Sequence, residues 1–222
     1  MTEGFAALGG GVDVVLCDTR PEVLEAWQLT FARRPEVKIV EGDILSCGCE
    51  AVVCPGNSFG FMDSGLSLRA LERFGFVLQD HVRTLIRERF DHELLVGQAA
   101  LVDTEKAPRW LVYAPVTRTG FSSDGTLNAY HATRGALLAI RDYNRANPQA
   151  PIPNVALPGL CAETGGTHPA VSGRQMRYAY ELAAGLKSGG AKHLTKLARR
   201  EARLKALPKV ARVAEVESEA DL

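Results

Sequence analysis

The chain has 222 residues, 46% of them hydrophobic, and its 26 Lys and Arg balance its 26 Asp and Glu. This length and apolar content suffice for a sizeable globular core, and the zero net charge excludes a general attraction to nucleic acid or to an anionic membrane. No apolar run approaches the roughly 18 residues that cross a bilayer, and the first residues lack the basic start of a secretion signal. The sequence therefore predicts a cytoplasmic protein with no membrane partner.

Strands and helices alternate along residues 1–187. A buried strand is predicted at residues 12–17, and Asp18 or Thr19 can cap the helix that follows. The apolar side chains of that helix fall on one face: Val23, Leu24, Trp27 and Phe31. Further strands are predicted at 37–40, 51–54, 98–103, 110–114 and 154–157, and helices at 66–74, 77–89, 126–145 and 169–186.

The apolar strands 37–40 and 51–54 are expected inside a covered sheet. Strands that alternate with helices predict an α/β protein, a three-layer α/β/α sandwich with a mixed, mostly parallel central sheet.

A turn-rich interruption at residues 187–190 predicts a boundary between a domain at 1–187 and a C-terminal segment at 188–222. The segment contains a basic amphipathic helix at 191–207 and an acidic tail. Its leucines form one stripe, Leu194, Leu197, Leu204 and Leu207. We expect the stripe to pack on the domain, and the basic face leaves open a weak contact with nucleic acid or protein.

The five cysteines are an odd number spread over predicted strands and turns, which is a poor disulfide framework. They are Cys17, Cys47, Cys49, Cys54 and Cys161. A structural zinc site needs four ligands, commonly with a paired Cys or His motif, and no such pattern is present. We expect reduced thiols, no metal and no cofactor.

Polar residues and glycines follow two of the predicted strands. Residues 42–44 read Gly-Asp-Ile, and Asn57 begins a loop with Gly60 and Gly65, called here the first glycine loop (residues 57–65). A carboxylate at a strand end lies where ligands bind in open α/β sheets, and an amide can both donate to and accept from hydroxyls. Plain turns remain open as an alternative, because Asp43 can cap its own turn and Asn57 can shape a bare loop.

The second glycine loop (residues 159–166) follows the last predicted strand and precedes a helix. Gly159, Gly165 and Gly166 flank four residues there, a context in which backbone amides form an anion nest. Cys161 in this loop is either a reactive thiol near helix amides or a small buried residue. Burial is the favoured interpretation.

Together the two loops resemble the ligand-binding core of the macrodomain family, and the resemblance covers about residues 10–187. In that family the loops hold ADP-ribose, so the resemblance implies an ADP-ribose cleft. The residues that match the family's binding loops are Asp43, Ile44, Asn57, Gly60, Gly65, Leu66, Ser67, Gly159, Leu160, Cys161, Ala162, Glu163, Thr164, Gly165 and Gly166.

The resemblance also assigns roles. It implies that Asp43 accepts the adenine amine and that the second glycine loop cradles the diphosphate. Glu163 departs from the family, whose loop usually has Gly there, and a carboxylate at that place repels a diphosphate unless it points to solvent. Thr117 and Arg118 end a central strand where similar proteins bring another loop to the cleft, and Arg118 either lines that face or only fixes a loop.

Hydrolytic macrodomains carry an Asp shortly after the loop glycine, in Gly-Gly-Val-Asp or Gly-Gly-Ile-Asp. Ser67 stands at that position here, and Asp63 is the nearby acid that could replace it as the catalytic carboxylate. The resemblance therefore implies binding of ADP-ribose, free or attached to a macromolecule. The alternative is an ADP-ribosyl hydrolase that removes ADP-ribose from modified protein or nucleic acid.

Two other classes fit less well. A dinucleotide-dependent oxidoreductase could use Asp18 at a strand end, but no Gly-x-Gly-x-x-Gly follows any strand. A pure interaction protein that uses the basic C-terminal helix leaves the paired glycine loops unexplained.

Overall fold

The computed structural model describes residues 11–162, 165–190 and 193–207, and within them six strands form one sheet. The strands are β1 (Asp13–Asp18), β2 (Lys38–Glu41), β3 (Ala51–Asn57), β4 (Ala100–Asp103), β5 (Trp110–Thr117) and β6 (Asn154–Leu157). Their order across the sheet is β2-β1-β6-β3-β5-β4. Every neighbouring pair is parallel except β4 and β5, so the predicted mixed, mostly parallel sheet is confirmed.

Helices cover both faces of this sheet. They are α1 (Pro21–Thr30), α2 (Gly65–Phe74), α3 (Val77–Arg89), α4 (Asn128–Ala146), α5 (Pro169–Ala183) and α6 (Leu194–Lys205). Side chains alternate along β3: Ala51 and Val53 pack with α1, α4 and α5, whereas Val52 and Cys54 pack with α2 and α3. Because successive residues of a strand point to opposite faces, these two cores confirm the three-layer α/β/α sandwich.

Helix α1 has the predicted apolar face, since Val23, Leu24, Trp27 and the following Phe31 are all buried. The predicted cap is wrong. Arg20 precedes the helix and makes no side-chain cap hydrogen bond. Pro21 lies in the first turn and has no backbone N–H. The start of the helix therefore has one fewer N–H group that needs a hydrogen-bond partner.

Strand β2 is a correction to the expectation of a fully covered sheet. It lies at the sheet edge beside β1, and its residues are exposed or half-buried. A local apolar pattern predicts that a strand forms, but long-range pairing decides which strand becomes the edge. The prediction is right for β3, which lies between β6 and β5 and has four fully buried residues at its start.

Helix α6 contacts α5 through its C-terminal end. Leu204 is only 7% exposed, whereas Leu194 and Leu197 are exposed, so the predicted leucine stripe packs at one end rather than along its length. Gln175 of α5 donates to the Leu204 carbonyl at 3.3 Å. The boundary at residue 187 stays a prediction, and the acidic tail lies outside the described residues.

Among the described residues, no helix combines the length and apolarity that a bilayer crossing requires.

Candidate functional site

A cleft opens at the carboxyl ends of the parallel strands. Its outer lobe, about 550 Å³, is lined by most of residues 55–67, most of residues 116–121, and Gly165. Its inner lobe, about 210 Å³, is lined by residues 17–20, by Pro158, Gly159 and Cys161, and by single residues that include Gly42, Ile44 and Arg69. Pro55, Leu66, Val116 and Gly165 line both lobes, so the lobes adjoin and form one elongated site where ligands bind in open α/β sheets.

The amide of Asn57 shapes the first glycine loop. Its Oδ1 accepts from the Phe59 and Phe61 N–H groups at 3.0 and 3.3 Å, and its Nδ2 donates to the Phe61 carbonyl at 2.8 Å. Asn57 also lines the outer lobe. Asn57 therefore shapes the loop, as the plain-turn alternative predicted. The second N–H of its side-chain amide is left for a ligand, and ribose binding by Asn57 stays a prediction.

Buried Tyr113 on β5 supports the start of the same loop. The Asn57 N–H donates to the Tyr113 hydroxyl, and that hydroxyl donates to the Asn57 carbonyl, both at 3.0 Å. Gly60 has φ +77°, in the region that favours glycine. Gly56 is the glycine that allows the backbone to pack against Tyr113, because a Cβ there would lie 2.1 Å from the Tyr113 hydroxyl oxygen.

The start of helix α2 faces the outer lobe. Gly65, Leu66 and Ser67 line it, and Ser64 before the helix makes no side-chain cap hydrogen bond. Because the first amides of a helix have no partner within it, they remain available to an anion. Leu66 is only 6% exposed, yet it lines both lobes of the cleft.

Ser67 and Asp63, the two residues considered for a catalytic carboxylate, lie at or next to the start of α2. The Ser67 hydroxyl donates to the Ser64 carbonyl at 2.7 Å, and the side chain is buried. Asp63 is exposed, lines the outer lobe and makes no hydrogen bond or ion pair within the described part of the chain. The carboxylate that is free to meet a ligand or water is therefore Asp63.

The second glycine loop is fastened at both ends. The Gly159 N–H donates to Asp18 Oδ2 at 2.9 Å, and the Gly165 carbonyl accepts from the Ser123 N–H and hydroxyl at 2.8 and 2.9 Å. A Cβ at Gly165 would lie 2.4 Å from the Ser123 hydroxyl oxygen. Only glycine therefore fits where this loop meets the β5–α4 connection.

Four other residues of the second loop have different fates. Leu160 is fully buried in the core and Ala162 is partly buried, while Gly166 has φ +67°. Cys161 is buried, and burial raises its pKa to about 11 against a lowering hydrogen bond with Ser123. The favoured burial of Cys161 is confirmed. Glu163 and Thr164 lie outside the described residues.

Asp43 lies beside the inner lobe and caps its own short turn, Ile44–Ser46. Its Oδ1 accepts from the Leu45 N–H at 3.3 Å and pairs with Arg69, while its Oδ2 accepts from the Ser46 hydroxyl at 3.1 Å. A carboxylate has about four lone-pair sites, so Oδ2 retains one. Asp43 caps its own turn, as the plain-turn alternative predicted. A hydrogen bond from the adenine amine to Asp43 stays a prediction.

Asp18, which the sequence suggested only as a helix cap or as the acid of the oxidoreductase alternative, is a residue of this site. It lines the inner lobe and binds Arg20 through Nε and Nη2, both at 2.8 Å, as well as the Gly159 N–H. Burial by itself raises the pKa of Asp18, but the hydrogen bonds from Arg20 and Gly159 outweigh it and hold the pKa below its ordinary value. Asp18 thus ties the end of β1 to the second glycine loop.

Arg118 fixes a loop. Its Nε and Nη2 bind both oxygens of Glu93 at 2.7 and 3.2 Å, and its guanidinium lies over the Phe59 ring. Thr117 lines the outer lobe. Phe121, 80% exposed, and Phe61 also line that lobe, so aromatic surface is available to a sugar or base.

The described residues hold no group of three or more His, Cys, Asp or Glu arranged to bind a metal ion. The cleft itself offers hydrogen bonding by amides and carboxylates, the charge of Arg20 and Arg69 in the inner lobe, and the N-terminus of α2 in the outer lobe.

The macrodomains of Mycobacterium tuberculosis DarG and of Thermus aquaticus DarG each match with a TM-score of 0.52 and 20% identity, over 64% of this chain and 88% of theirs. This chain has the macrodomain fold. The Thermosipho africanus DarTG structure, in complex with ADP-ribose, matches with a TM-score of 0.50 and 16% identity over 71% of this chain and 48% of that chain. No protein-family model and no curated protein matches the sequence.

The macrodomain fold confirms the resemblance at the level of architecture. Eight of the fifteen residues that the resemblance marked as binding line the cleft: Ile44, Asn57, Gly65, Leu66, Ser67, Gly159, Cys161 and Gly165. Five others line neither lobe: Asp43, Gly60, Leu160, Ala162 and Gly166. The remaining pair, Glu163 and Thr164, is not described. Similarity of fold does not by itself fix a ligand.

Proposed function

We propose that the chain binds ADP-ribose, free or attached to a macromolecule, in the cleft between the two glycine loops. The observation that carries the proposal is the pair of adjoining lobes at the strand ends, lined by both loops that matched the family's pattern. A protein of the same fold, Thermosipho africanus DarTG, was solved with ADP-ribose, which supports the choice of ligand.

The chemistry of the two lobes fits the parts of that ligand. The outer lobe offers the amides at the start of α2 to an anion and Phe61 and Phe121 to a sugar ring. The inner lobe has Asp43 at its edge, with one lone-pair site left for the adenine amine. In this arrangement the diphosphate spans the junction that Leu66 and Gly165 line on both sides.

Calorimetric titration with ADP-ribose, AMP and NAD tests the proposal. We expect ADP-ribose to bind most tightly, because it alone fills both lobes without a further base. Asp43→Ala removes one hydrogen bond to a charged group, so affinity should fall by roughly 1.5–3 kcal/mol. Asp142→Ala, which removes an exposed acid on α4, is the matched control. Failure of ADP-ribose to bind at millimolar concentration would overturn the proposal.

Slow removal of ADP-ribose from modified protein or nucleic acid is the second candidate function. Asp63 favours it, because this exposed acid lines the outer lobe without a partner in the described residues. A general base contributes roughly 10²–10⁴ in rate. We expect Asp63→Ala to abolish any turnover and Ser67→Asp to raise it, with release of ADP-ribose as the measurement.

Both variants need a binding titration, because a change in affinity can imitate a change in chemistry. Ser67 is buried, so Ser67→Asp also needs a check of folding by circular dichroism. Rapid turnover that survives Asp63→Ala would show that the acid is not the base.

A further inference from the structure

Helix α6 carries a concentrated positive charge in a chain whose Lys and Arg balance its Asp and Glu. Between Leu194 and Lys205 the helix has five Lys or Arg and one acid, Glu201. Glu201 pairs with Lys205 at 2.7 Å, so this acid neutralises that lysine. The other four cations are not offset by any acid of the same helix.

These four cations fall on one face of α6. Their positions have the i, i+3, i+4 and i+7 spacing of a single helix face: Lys196, Arg199, Arg200 and Arg203. Arg200 donates to the Tyr178 hydroxyl of α5, and its guanidinium lies 5.4 Å from the centre of that ring. The other three are exposed and make no side-chain hydrogen bond or ion pair with any residue that the structure describes. They form the basic stripe, defined as Lys196, Arg199 and Arg203.

Packing against α5 leaves the basic stripe open to solvent. Leu204, 7% exposed, is the residue that α6 buries. The side chains next to the stripe on the solvent side are small and exposed: Thr195, Ala198 and Ala202. They leave room for a partner to approach the three cations. No residue of α6 lines either lobe of the cleft, so the stripe is a separate surface.

The spacing of the basic stripe fits the backbone of a nucleic-acid duplex. At a rise of about 1.5 Å per residue, Lys196 and Arg203 lie about 10 Å apart along the helix. One strand of a duplex presents a phosphate about every 3.4 Å along the axis, so a stretch of that length carries about three phosphates for the three cations. The guanidinium group of Arg also binds phosphate through two parallel hydrogen bonds.

Other anionic partners fit the basic stripe less well. A protein interface has a buried apolar core, but the exposed Leu194 lies about 180° around the helix from Arg203. A helix on a membrane surface inserts its apolar face, and Leu204 on that face is buried against α5. Single strands are held by stacking on aromatic side chains, and the nearby Tyr178 is already stacked on Tyr130.

We propose that the basic stripe of α6 binds the phosphate backbone of duplex DNA without reading its sequence. Each cation replaces condensed counterions at a phosphate, and their release favours the complex. The contact lies outside the cleft and does not depend on the proposed binding of ADP-ribose.

Fluorescence anisotropy of a short labelled duplex, with the full chain and between about 50 and 200 mM salt, tests the proposal. We expect the logarithm of the association constant to fall with log[salt] with a slope of about −3, because three phosphate contacts contribute about 0.9 each. Lys196→Gln/Arg199→Gln/Arg203→Gln should bind about tenfold or more weakly at the lowest salt and lose most of the slope.

Lys38→Gln/Arg89→Gln/Arg145→Gln is the matched control, because it removes one exposed lysine and two exposed arginines from three different elements. It should keep the slope of the unaltered protein, and both variants should keep its circular dichroism. In the unaltered protein, bound duplex should slow acetylation of Lys196 and leave that of Lys38 unchanged.

An equal loss of affinity in the two triple variants would overturn the proposal, as would absence of duplex binding at the lowest salt. Tighter binding of a single strand of the same length, of polyglutamate or of anionic vesicles would overturn the assignment to duplex DNA. Because none of these probes carries ADP-ribose, their failure is separate from a failure of the proposed function.

Discussion

At Gly56 the backbone passes directly over the buried ring of Tyr113. A Cβ there would lie 2.1 Å from the Tyr113 hydroxyl oxygen and 2.2 Å from the ring carbon that carries it. The ring is fully buried, and its hydroxyl bridges the N–H and carbonyl of Asn57. Neither partner can move without breaking the start of the first glycine loop.

We therefore expect Gly56→Ala to destabilise the protein by about 1–3 kcal/mol, the usual cost of overpacking a well-packed core. Urea unfolding followed by circular dichroism measures the loss. Gly189→Ala is the control, because the nearest atom to its Cβ is 3.5 Å away. Equal stability of the two variants would mean that the tyrosine ring yields easily.

Asp18 carries the second prediction at this scale. Its pKa is lower in the folded chain than the ordinary value of about 3.9 expected of the unfolded chain. A depressed folded pKa gives stability that is present above the unfolded pKa and is lost as the pH falls through the folded pKa. Asp18→Asn should therefore be less stable than the unaltered protein at pH 7, and the difference should narrow below about pH 4.

Urea midpoints measured from pH 7 down to pH 3 test this expectation. Asp142→Asn removes an acid that is 62% exposed on its side chain and should give a small difference at every pH, since exposed ion pairs contribute about 0–1 kcal/mol. A constant difference between the unaltered protein and Asp18→Asn across this range would show that the carboxylate contributes nothing through its charge.

Helix α6 is held against α5 by one buried side chain and by polar contacts, in which Arg200 donates to the Tyr178 hydroxyl and Arg174 to the Ala206 carbonyl. Leu204 is its one buried residue in the described range, and the Leu204 carbonyl accepts from Gln175. Leu204→Ala should cost about 2 kcal/mol in the docking of this helix, the low end for a buried leucine. Amide exchange in α6 should then be roughly thirtyfold faster, whereas ADP-ribose affinity should be unchanged.

Hydrogen exchange with mass spectrometry reads each helix separately. Leu194→Ala is the control, because that side chain is 80% exposed, and it should leave the exchange of α6 unaltered. Equal effects of the two variants would show that Leu204 does not hold the helix to α5.

The sequence predicted elements best where both ends carry local signals. Helix α3 and strand β6 match their predicted bounds of 77–89 and 154–157. Strand β5 continues three residues past its predicted end, through Pro115 to Thr117, because pairing with β3 overrides the local effect of proline. The edge position of β2 depends on the order of all six strands, which no local pattern encodes.

The candidate site shows the same division. Glycine loops are visible in the sequence because turns and close approaches need glycine locally. Tyr113 supports the first loop through Asn57, which is 56 positions away, and Asp18 supports the second loop through Gly159, which is 141 positions away. Only the folded sheet brings these pairs together. The same holds for Asp43. Its hydrogen bonds to Leu45 and Ser46 and its pairing with Arg69 are seen only in the structure, so the sequence did not show which lone pair stays open to a ligand.

Seen as a whole, the cleft draws on segments from residue 17 to residue 165. A ligand that holds all of them stabilises the folded state by RT ln(1 + [L]/Kd), about 2.7 kcal/mol at one hundred times Kd. We expect ADP-ribose to raise the midpoint of thermal unfolding more than AMP at the same concentration. Asp43→Ala should reduce the rise, and an equal rise with both ligands would show that only the adenylate half binds.

The last strand of the sheet is also one of its central strands. Strand β6 lies between β1 and β3 and pairs with both of them. Until residues 154–157 are present, no strand joins the β1–β2 pair to the β3–β5–β4 group, and the edges of β1 and β3 that face β6 stay unpaired. Exposed strand edges invite pairing with other chains, so we expect a chain that ends before residue 154 to aggregate.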